Sequence, residues 1–448
     1  MELDEAAWIF SSYYYRLAFQ RHDLRSPDWR HADALDHPPL AKFMFGALLE
    51  RDGLAAGSLT AKERWFKRSA IVYDRPEYTR QLRRQIPPRA LWLARLGSGA
   101  CMALACLFLS LLGALAFSPG VGAAAALLLV LAPLTRILAA QAVSDSLFTA
   151  LLLGCALAQA LWCRRLVATG RFSIGWSALC GGLIGLLFGT KILGIAGLPL
   201  MYLSVAFAAA GRPKPVRFAA LLSAAIATTA AAAVAIACNP SLYREPVSFT
   251  AAMFRHRLET VELQKILFFA ETFQTPAQRL AEFTRLLFMS NDGISLITSG
   301  LTAVLAAAGL LSLPVLARAR REPAAVVTAV HLAGWALIAL AAFSINWTRY
   351  LLPAMPLACL LAALGGAELA ARRARAWKLA GCAVALAALA APACRSLSLE
   401  NYWKRHPDAF QAQLSRQVAE LVSRYPERRD LPPRLREPSA LDSASQTR

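Results

Sequence analysis

Residues 91–117 read LWLARLGSGACMALACLFLSLLGALAF, an apolar run interrupted by a single charge, Arg95. A helix needs about 20 apolar residues to cross the hydrocarbon of a bilayer, so this stretch reads as a transmembrane span. Runs of comparable length recur behind it, at roughly 120–140, 146–163, 174–190, 192–210, 216–238, 294–316, 324–345, 350–370 and 377–396. About ten spans result, and the chain reads as an all-α polytopic membrane protein. Its 57% apolar composition and mean hydropathy of +0.44 exclude an ordinary soluble enzyme.

The formal net charge of +20 first suggests a nucleic-acid partner. The Lys and Arg residues fall instead in short clusters between apolar runs, where the positive-inside rule puts them, so nucleic acid is excluded as a partner. Arg164-Arg165 with Arg171, Arg212-Lys214-Arg217, Arg318-Arg320-Arg321 and Arg372-Arg373-Arg375 with Lys378 occupy every second joint. The joints between carry Arg136 with Asp145, Lys191, and Arg349. With ten spans the four clusters share the cytoplasmic side, and segments 1–91, 239–293 and 397–448 share the other. The nine cysteines lie in or beside apolar runs without metal-ligand spacing, so they read as small apolar residues.

Three regions follow: an outer-face first loop, 1–91; a helix bundle, 92–396, with a long outer joint at 239–293; and a polar tail, 397–448. In the first loop Trp8-Ile9-Phe10, Tyr13-Tyr14-Tyr15 and Leu17, and later Trp65 to Arg84, mix aromatic and basic residues as interfacial helices do, with a soluble helical cap as the alternative. The joint opens Asn239-Pro240-Ser241-Leu242-Tyr243, a turn-rich entry, and Phe254, Leu258, Val261, Leu263 and Ile266 continue it as interfacial helix. In the tail Phe410, Leu414, Val418, Leu421 and Tyr425 recur at helical spacing, and the stretch from Pro426 has a disordered composition. An exported first loop needs a signal or a spanning helix ahead of it, so a first helix is expected to be missing from the sequence.

Asp36-His37-Pro38-Pro39-Leu40-Ala41-Lys42 is the polar segment with most chemistry. Two prolines fix φ and remove two donors, which suits a stiff elbow leading into a helix from Leu40 to Leu49. A carboxylate, an imidazole and an ammonium then lie within one turn of each other; a plain polar helix start reads the same way.

Taken in order, Asp4-Glu5, His37-Pro38-Pro39-Leu40 with Lys42, Arg95, Ala142-Val143-Ser144-Asp145, Gly189-Thr190-Lys191, Asn239-Pro240 and Arg349-Tyr350-Leu351-Leu352-Pro353 with Pro356 resemble the polyprenyl-phosphate-sugar-dependent glycosyltransferases. These are the protein O-mannosyltransferases and lipid A aminoarabinose transferases of the GT-C class. The resemblance runs from residue 4 to about 370 and rests on the order of short motifs across the topology. It departs from the family in lacking the first helix and a large C-terminal domain.

The resemblance implies a GT-C-like bundle in a bacterial plasma membrane, with an active site on the non-cytoplasmic face. It implies transfer of a sugar from a polyprenyl-phosphate carrier to a hydroxyl of an acceptor protein, lipid or glycan, by one inverting displacement. A hydroxyl needs a base, and a carboxylate supplies typically 10²–10⁴-fold. Asp4 is the candidate by resemblance and by its place on a polar loop, with Glu5 and Asp145 as alternatives. Cations stabilise a departing lipid phosphate; Lys42, Arg95, Lys191 and Arg349 are candidates for donor binding, with His37 and Tyr350 beside them. No protein metal ligand set is read, and a divalent cation is left open.

Each candidate has a plainer role. Arg95, Lys191 and Arg349 can snorkel to headgroups, Asp145 can cap a helix, Asp4-Glu5 can be solvated charges and His37 can brace its elbow. His331, inside a span, reads as a helix-packing hydrogen-bonder. The alternative function is a secondary transporter or lipid-linked sugar flippase. Transporters place ionisable residues near the midplane and show repeats, whereas here the charges gather at one face. A structural scaffold leaves that one-sided clustering without a role.

Overall fold

Proline sets where most of the helices begin. In the computed structural model, which describes residues 3–30, 34–35, 37–54, 86–268, 271–288, 305–306, 309 and 322–371, a proline is the first or second residue of eight of the thirteen helices named below. Its missing N–H is no loss there and its fixed φ already suits the helix. Helices α1 (Leu3–Ser11) and α2 (Leu40–Arg51) precede α3 (Pro88–Ala116), α4 (Pro119–Leu131), α5 (Pro133–Ala139), α6 (Ser144–Thr169) and α7 (Ile174–Thr190). Then come α8 (Gly197–Ala209), α9 (Lys214–Ala237), α10 (Pro246–Leu267), α11 (Pro276–Phe288), α12 (Pro323–Ala342) and α13 (Met355–Ala371).

Six described helices are long and apolar enough to cross a membrane, or seven if α4 and α5 count as one broken span. Exposed Trp92, Leu96, Leu107, Phe218 and Leu221 on α3 and α9 give the bundle a lipid-compatible outer surface. The chain is an integral membrane protein. The expected span 294–316 apart from residues 305, 306 and 309, the expected span 377–396, the segment Trp65 to Arg84, Asp36 and the whole tail lie outside the described residues, so ten spans are not reached among the described ones. Two expected spans also change form. The one at 120–140 bends by 67° between α4 and α5, because Ala132 precedes Pro133 and is driven out of the helical region, to φ −59°, ψ 126°. The one at 174–190 is a 17-residue helix, about 25 Å long. It ends at Lys191, whose backbone is extended, and the chain turns through a 3₁₀ segment, Ile192–Ala196, into α8.

Among the described spans α6 is the most enclosed, packed by α3, α7, α8 and α12. Helices α7 and α9 approach through Gly181 and Gly185. A Cβ at Gly181 would sit 2.0 Å from the Ala227 carbonyl oxygen, and one at Gly185 would sit 2.6 Å from that of Ala231. Small residues permit this closeness where lipid supplies no hydrophobic drive between helices. Deeper in the bundle, His331 of α12 donates from Nε2 to Gln159 Oε1 of α6 at 2.6 Å, joining the two helices as read from the sequence.

Long-range contacts sort the joints to two ends. At one end Arg164 pairs with Glu322 at 3.5 Å, and Gly170 lies against Val216. Both contacts adjoin the Arg clusters near 165, 215 and 320. At the other end lie Asp145, Lys191, Asn239 and the 344–354 segment. Helices α1 and α2 pack on α3 there, and Ala6, Ile9, Ala41, Phe45 and Leu49 join the bundle's own core. Trp8, Tyr14 and Leu17 are buried as well, while Phe19 and Leu24 face outward.

Candidate active site

Asp145 stands in the first turn of α6, after extended Val143, where the helix dipole favours a carboxylate. It is 8% exposed. A charge so enclosed needs a partner, and Lys191 donates from Nζ to Asp145 Oδ1 at 2.7 Å. The α7–α8 break makes this possible by turning Lys191 across the end of the bundle. Its ammonium also lies 5.7 Å from the centre of the Phe148 ring, one turn below Asp145. Arg349 and His37 act electrostatically on the same carboxylate. Three separate segments thus bring basic groups to Asp145: the α7–α8 break, the 3₁₀ turn Thr348–Ala354 and the proline elbow before α2.

Glu5 and Arg95 have a different setting. Glu5 is fully buried, and Arg95 donates to it twice, from Nε to Oε1 at 2.7 Å and from Nη2 to Oε2 at 2.8 Å. Glu5 Oε1 also accepts the Ala142 N–H at 3.0 Å. The pair fastens α1, which carries Asp4, to α3 and to the connection leading into Asp145. Both carboxylate oxygens are occupied by fixed donors, so Glu5 is a structural tie and a poor acceptor for a substrate proton, and two of Arg95's five N–H donors are committed to it.

Lys42 is 1% exposed, with Nζ 4.6 Å from the centre of the Tyr14 ring. It therefore lies in the packing between α2 and the Tyr13–Tyr15 turn that follows α1, and not on an open face. His37, beside it in sequence, packs its ring 5.0 Å from that of Trp8. Asn239 is buried, accepts the Ser241 hydroxyl at 3.1 Å and turns the chain from α9 into the long joint. Among the described residues no three His, Cys, Asp or Glu side chains gather as a ligand set, so the divalent cation left open by the sequence has no fitted seat among them.

Arg349 lies beside a pair of rings, 4.9 Å from the Trp347 centre and 5.7 Å from that of Tyr350. The rings stack on each other at 6.0 Å and 9°. Tyr350 OH accepts from Arg257 of α10 at 3.1 Å, and Trp347 Nε1 donates to Glu271 at 2.9 Å. Sequence reasoning named Arg349 and Tyr350 but missed Trp347, Arg257, Glu271 and Phe148. Trp347, two residues before Arg349, was the available signal; Arg257 and Glu271 are ordinary charges in a long polar joint.

No family model and no curated protein matches the chain. Solved structures do. ArnT from Cupriavidus metallidurans bound to undecaprenyl phosphate superposes with a TM-score of 0.52 at 16% identity, over 85% of this chain and 58% of that one. The archaeal oligosaccharyltransferase AglB from Archaeoglobus fulgidus, in complex with an inhibitory peptide and a dolichol-phosphate, matches with a TM-score of 0.47 at 13% identity, over 88% of this chain and 51% of that one. The chain thus spans between half and three-fifths of the length of these proteins. At such identities the likeness speaks of fold, and in fold the chain is a membrane-helix bundle of the GT-C kind, like ArnT.

Proposed function

We propose that the protein is an integral-membrane glycosyltransferase that moves a sugar from a polyprenyl-phosphate carrier to an acceptor hydroxyl. The observation that carries this is the convergence of Lys191, Arg349 and His37 on one enclosed carboxylate, Asp145, at one end of a GT-C-like bundle. Protein, lipid and glycan hydroxyls are all acceptors such a site could serve, and a bacterial plasma membrane with the site on its non-cytoplasmic face is the setting.

The donor's isoprenoid chain lies among the helices and its phosphate sits at the end of the bundle. Lys191 and Arg349 meet the phosphate oxygens, where negative charge grows as the bond to the sugar lengthens. Asp145 holds Lys191 in place, and the Glu5–Arg95 pair fixes the helix carrying Asp4. Asp4 takes the proton from the acceptor hydroxyl. The acceptor oxygen forms a bond to the anomeric carbon as the carbon–oxygen bond to phosphate breaks, polyprenyl phosphate leaves with that electron pair, and the configuration inverts.

A panel of polyprenyl-phosphate sugars offered to purified protein tests the reading. Asp4→Asn should cut turnover by about 10² or more while leaving donor binding nearly unchanged. Arg349→Ala should weaken donor binding by roughly 1.5–3 kcal/mol. A parent protein that moves lipid-linked sugar across the membrane without any transfer would make it a flippase instead. Full transfer by Asp4→Asn would remove Asp4 as the base.

A further inference from the structure

The turn that carries Arg349 is held from outside the bundle. Its far side is anchored conventionally, with Leu351 and Ala354 in one buried cluster with Ala339 and Phe343. Its near side is gripped by the long joint. The Asn346 N–H donates to the Glu271 carbonyl at 2.8 Å, and the Phe273 N–H donates to that of Ser344 at 3.2 Å. Thr272 and Ile345 form an antiparallel bridge between these two bonds. Each ring that flanks Arg349 is then fixed by one charged side chain of the joint, Tyr350 by Arg257 and Trp347 by Glu271. Phe268 closes on Trp347 edge-on, with ring centres 5.1 Å apart.

From this we infer that Arg257 and the 271–273 segment form a strap that aims Arg349, with Arg257 and Glu271 as positioning residues for the donor phosphate. This rests on Arg349 being a phosphate ligand. A guanidinium on a flexible stem loses rotamer freedom when it binds, and holding it in its bound orientation beforehand lowers that cost. The Trp347 and Tyr350 faces supply the hold through cation–π attraction. They can do so only while each ring keeps its own orientation, which the charge-assisted bonds to Arg257 and Glu271 set. The long joint thereby governs donor affinity without touching the donor.

The test is binding of undecaprenyl phosphate to the full chain in lipid nanodiscs, with donor KM and kcat measured on the same samples. Arg257→Gln and Glu271→Gln should each weaken binding about three- to tenfold, the worth of one such hydrogen bond, and raise KM with kcat kept. Tyr350→Phe removes the same bond as Arg257→Gln from its other end and should reproduce its effect. The Arg257→Gln/Arg349→Ala pair should bind no worse than Arg349→Ala alone, since a strap has nothing left to aim. If the two losses add, Arg257 supports the fold generally and the strap is wrong. If Arg349→Ala weakens binding while Arg257→Gln and Glu271→Gln do not, the strap is wrong and the site stands. If Arg349→Ala binds as the parent does, the phosphate reading of the site falls, and the strap with it.

Discussion

Arg95→Met tests whether the first segment is fastened to the bundle by the Glu5–Arg95 pair. The substitution keeps an unbranched apolar stem and removes both donors from a carboxylate that is fully buried. Glu5 then keeps only the Ala142 N–H. Stripping one partner from a buried ion pair costs about 3–5 kcal/mol, because the other charge stays enclosed. The reverse change, Glu5→Gln, should cost less. It leaves the charge on Arg95, whose side chain is 38% exposed and can recover water, so roughly 1.5–3 kcal/mol for one charge-assisted bond is expected. Replacing both residues by Met should restore most of the loss, leaving about 1 kcal/mol for the unpaired Ala142 N–H. Reversible unfolding in mixed detergent micelles reads all three. An Arg95→Met loss below about 1 kcal/mol, or a double variant as unstable as the two singles summed, would refute the tie and return Glu5 to candidacy as a base.

The Asp145–Lys191 pair should behave alike at the site itself: Asp145→Asn is expected to cost about 3–5 kcal/mol and to abolish transfer, while Asp145→Asn with Lys191→Met regains stability but not activity. Equal activity in the double variant would show that neither residue meets the donor. Gly181→Ala should cost about 1–3 kcal/mol in the same unfolding assay, since its Cβ would meet the Ala227 carbonyl oxygen; a neutral result would mean α7 and α9 are not packed so closely. In intact cells an impermeant thiol reagent should label Pro276→Cys and not Arg212→Cys, and the opposite pattern would reverse the orientation.

The spans were legible because a bilayer demands length and apolarity of a contiguous stretch, and both are written along the chain. The polar residues left at span ends were legible for the same reason, so Asp145, Lys191 and Arg349 stood out singly. Their pairings did not. Asp145 and Lys191 are 46 positions apart and Glu5 and Arg95 are 90 apart, and periodicity says nothing about which distant charges meet. The pattern therefore kept Glu5 beside Asp4 as an alternative base, although Glu5 is locked by three hydrogen bonds. Lys42 was legible as a cation after a proline elbow, but its place against the Tyr14 ring, 28 positions earlier in the chain, is something no local rule encodes. The bend at Pro133 was written in the sequence, since the residue before a proline avoids the helix, but the apolar residues on both sides of it concealed it.

Where the bundle keeps its charges also bears on the choice between transferase and transporter. A transporter needs ionisable groups along its path, usually near the midplane. Asp145 and Gln159 lie on the same helix, separated by about 21 Å of rise. Between them α6 carries only Ser146, Thr149 and Cys155 as polar side chains, and no acid or base. At the deeper position the His331–Gln159 bond ties α6 to α12 among fully buried neighbours such as Leu332 and Trp335. The two polar centres are thus divided by an apolar stretch of the most enclosed helix. An enzyme whose donor phosphate and acceptor both arrive at one membrane face requires no conduit beneath its site. A carrier that moves a charged substrate across would have to breach α6 at its best-packed length, against the cost of exposing Phe148, Leu152 and Leu153 to it.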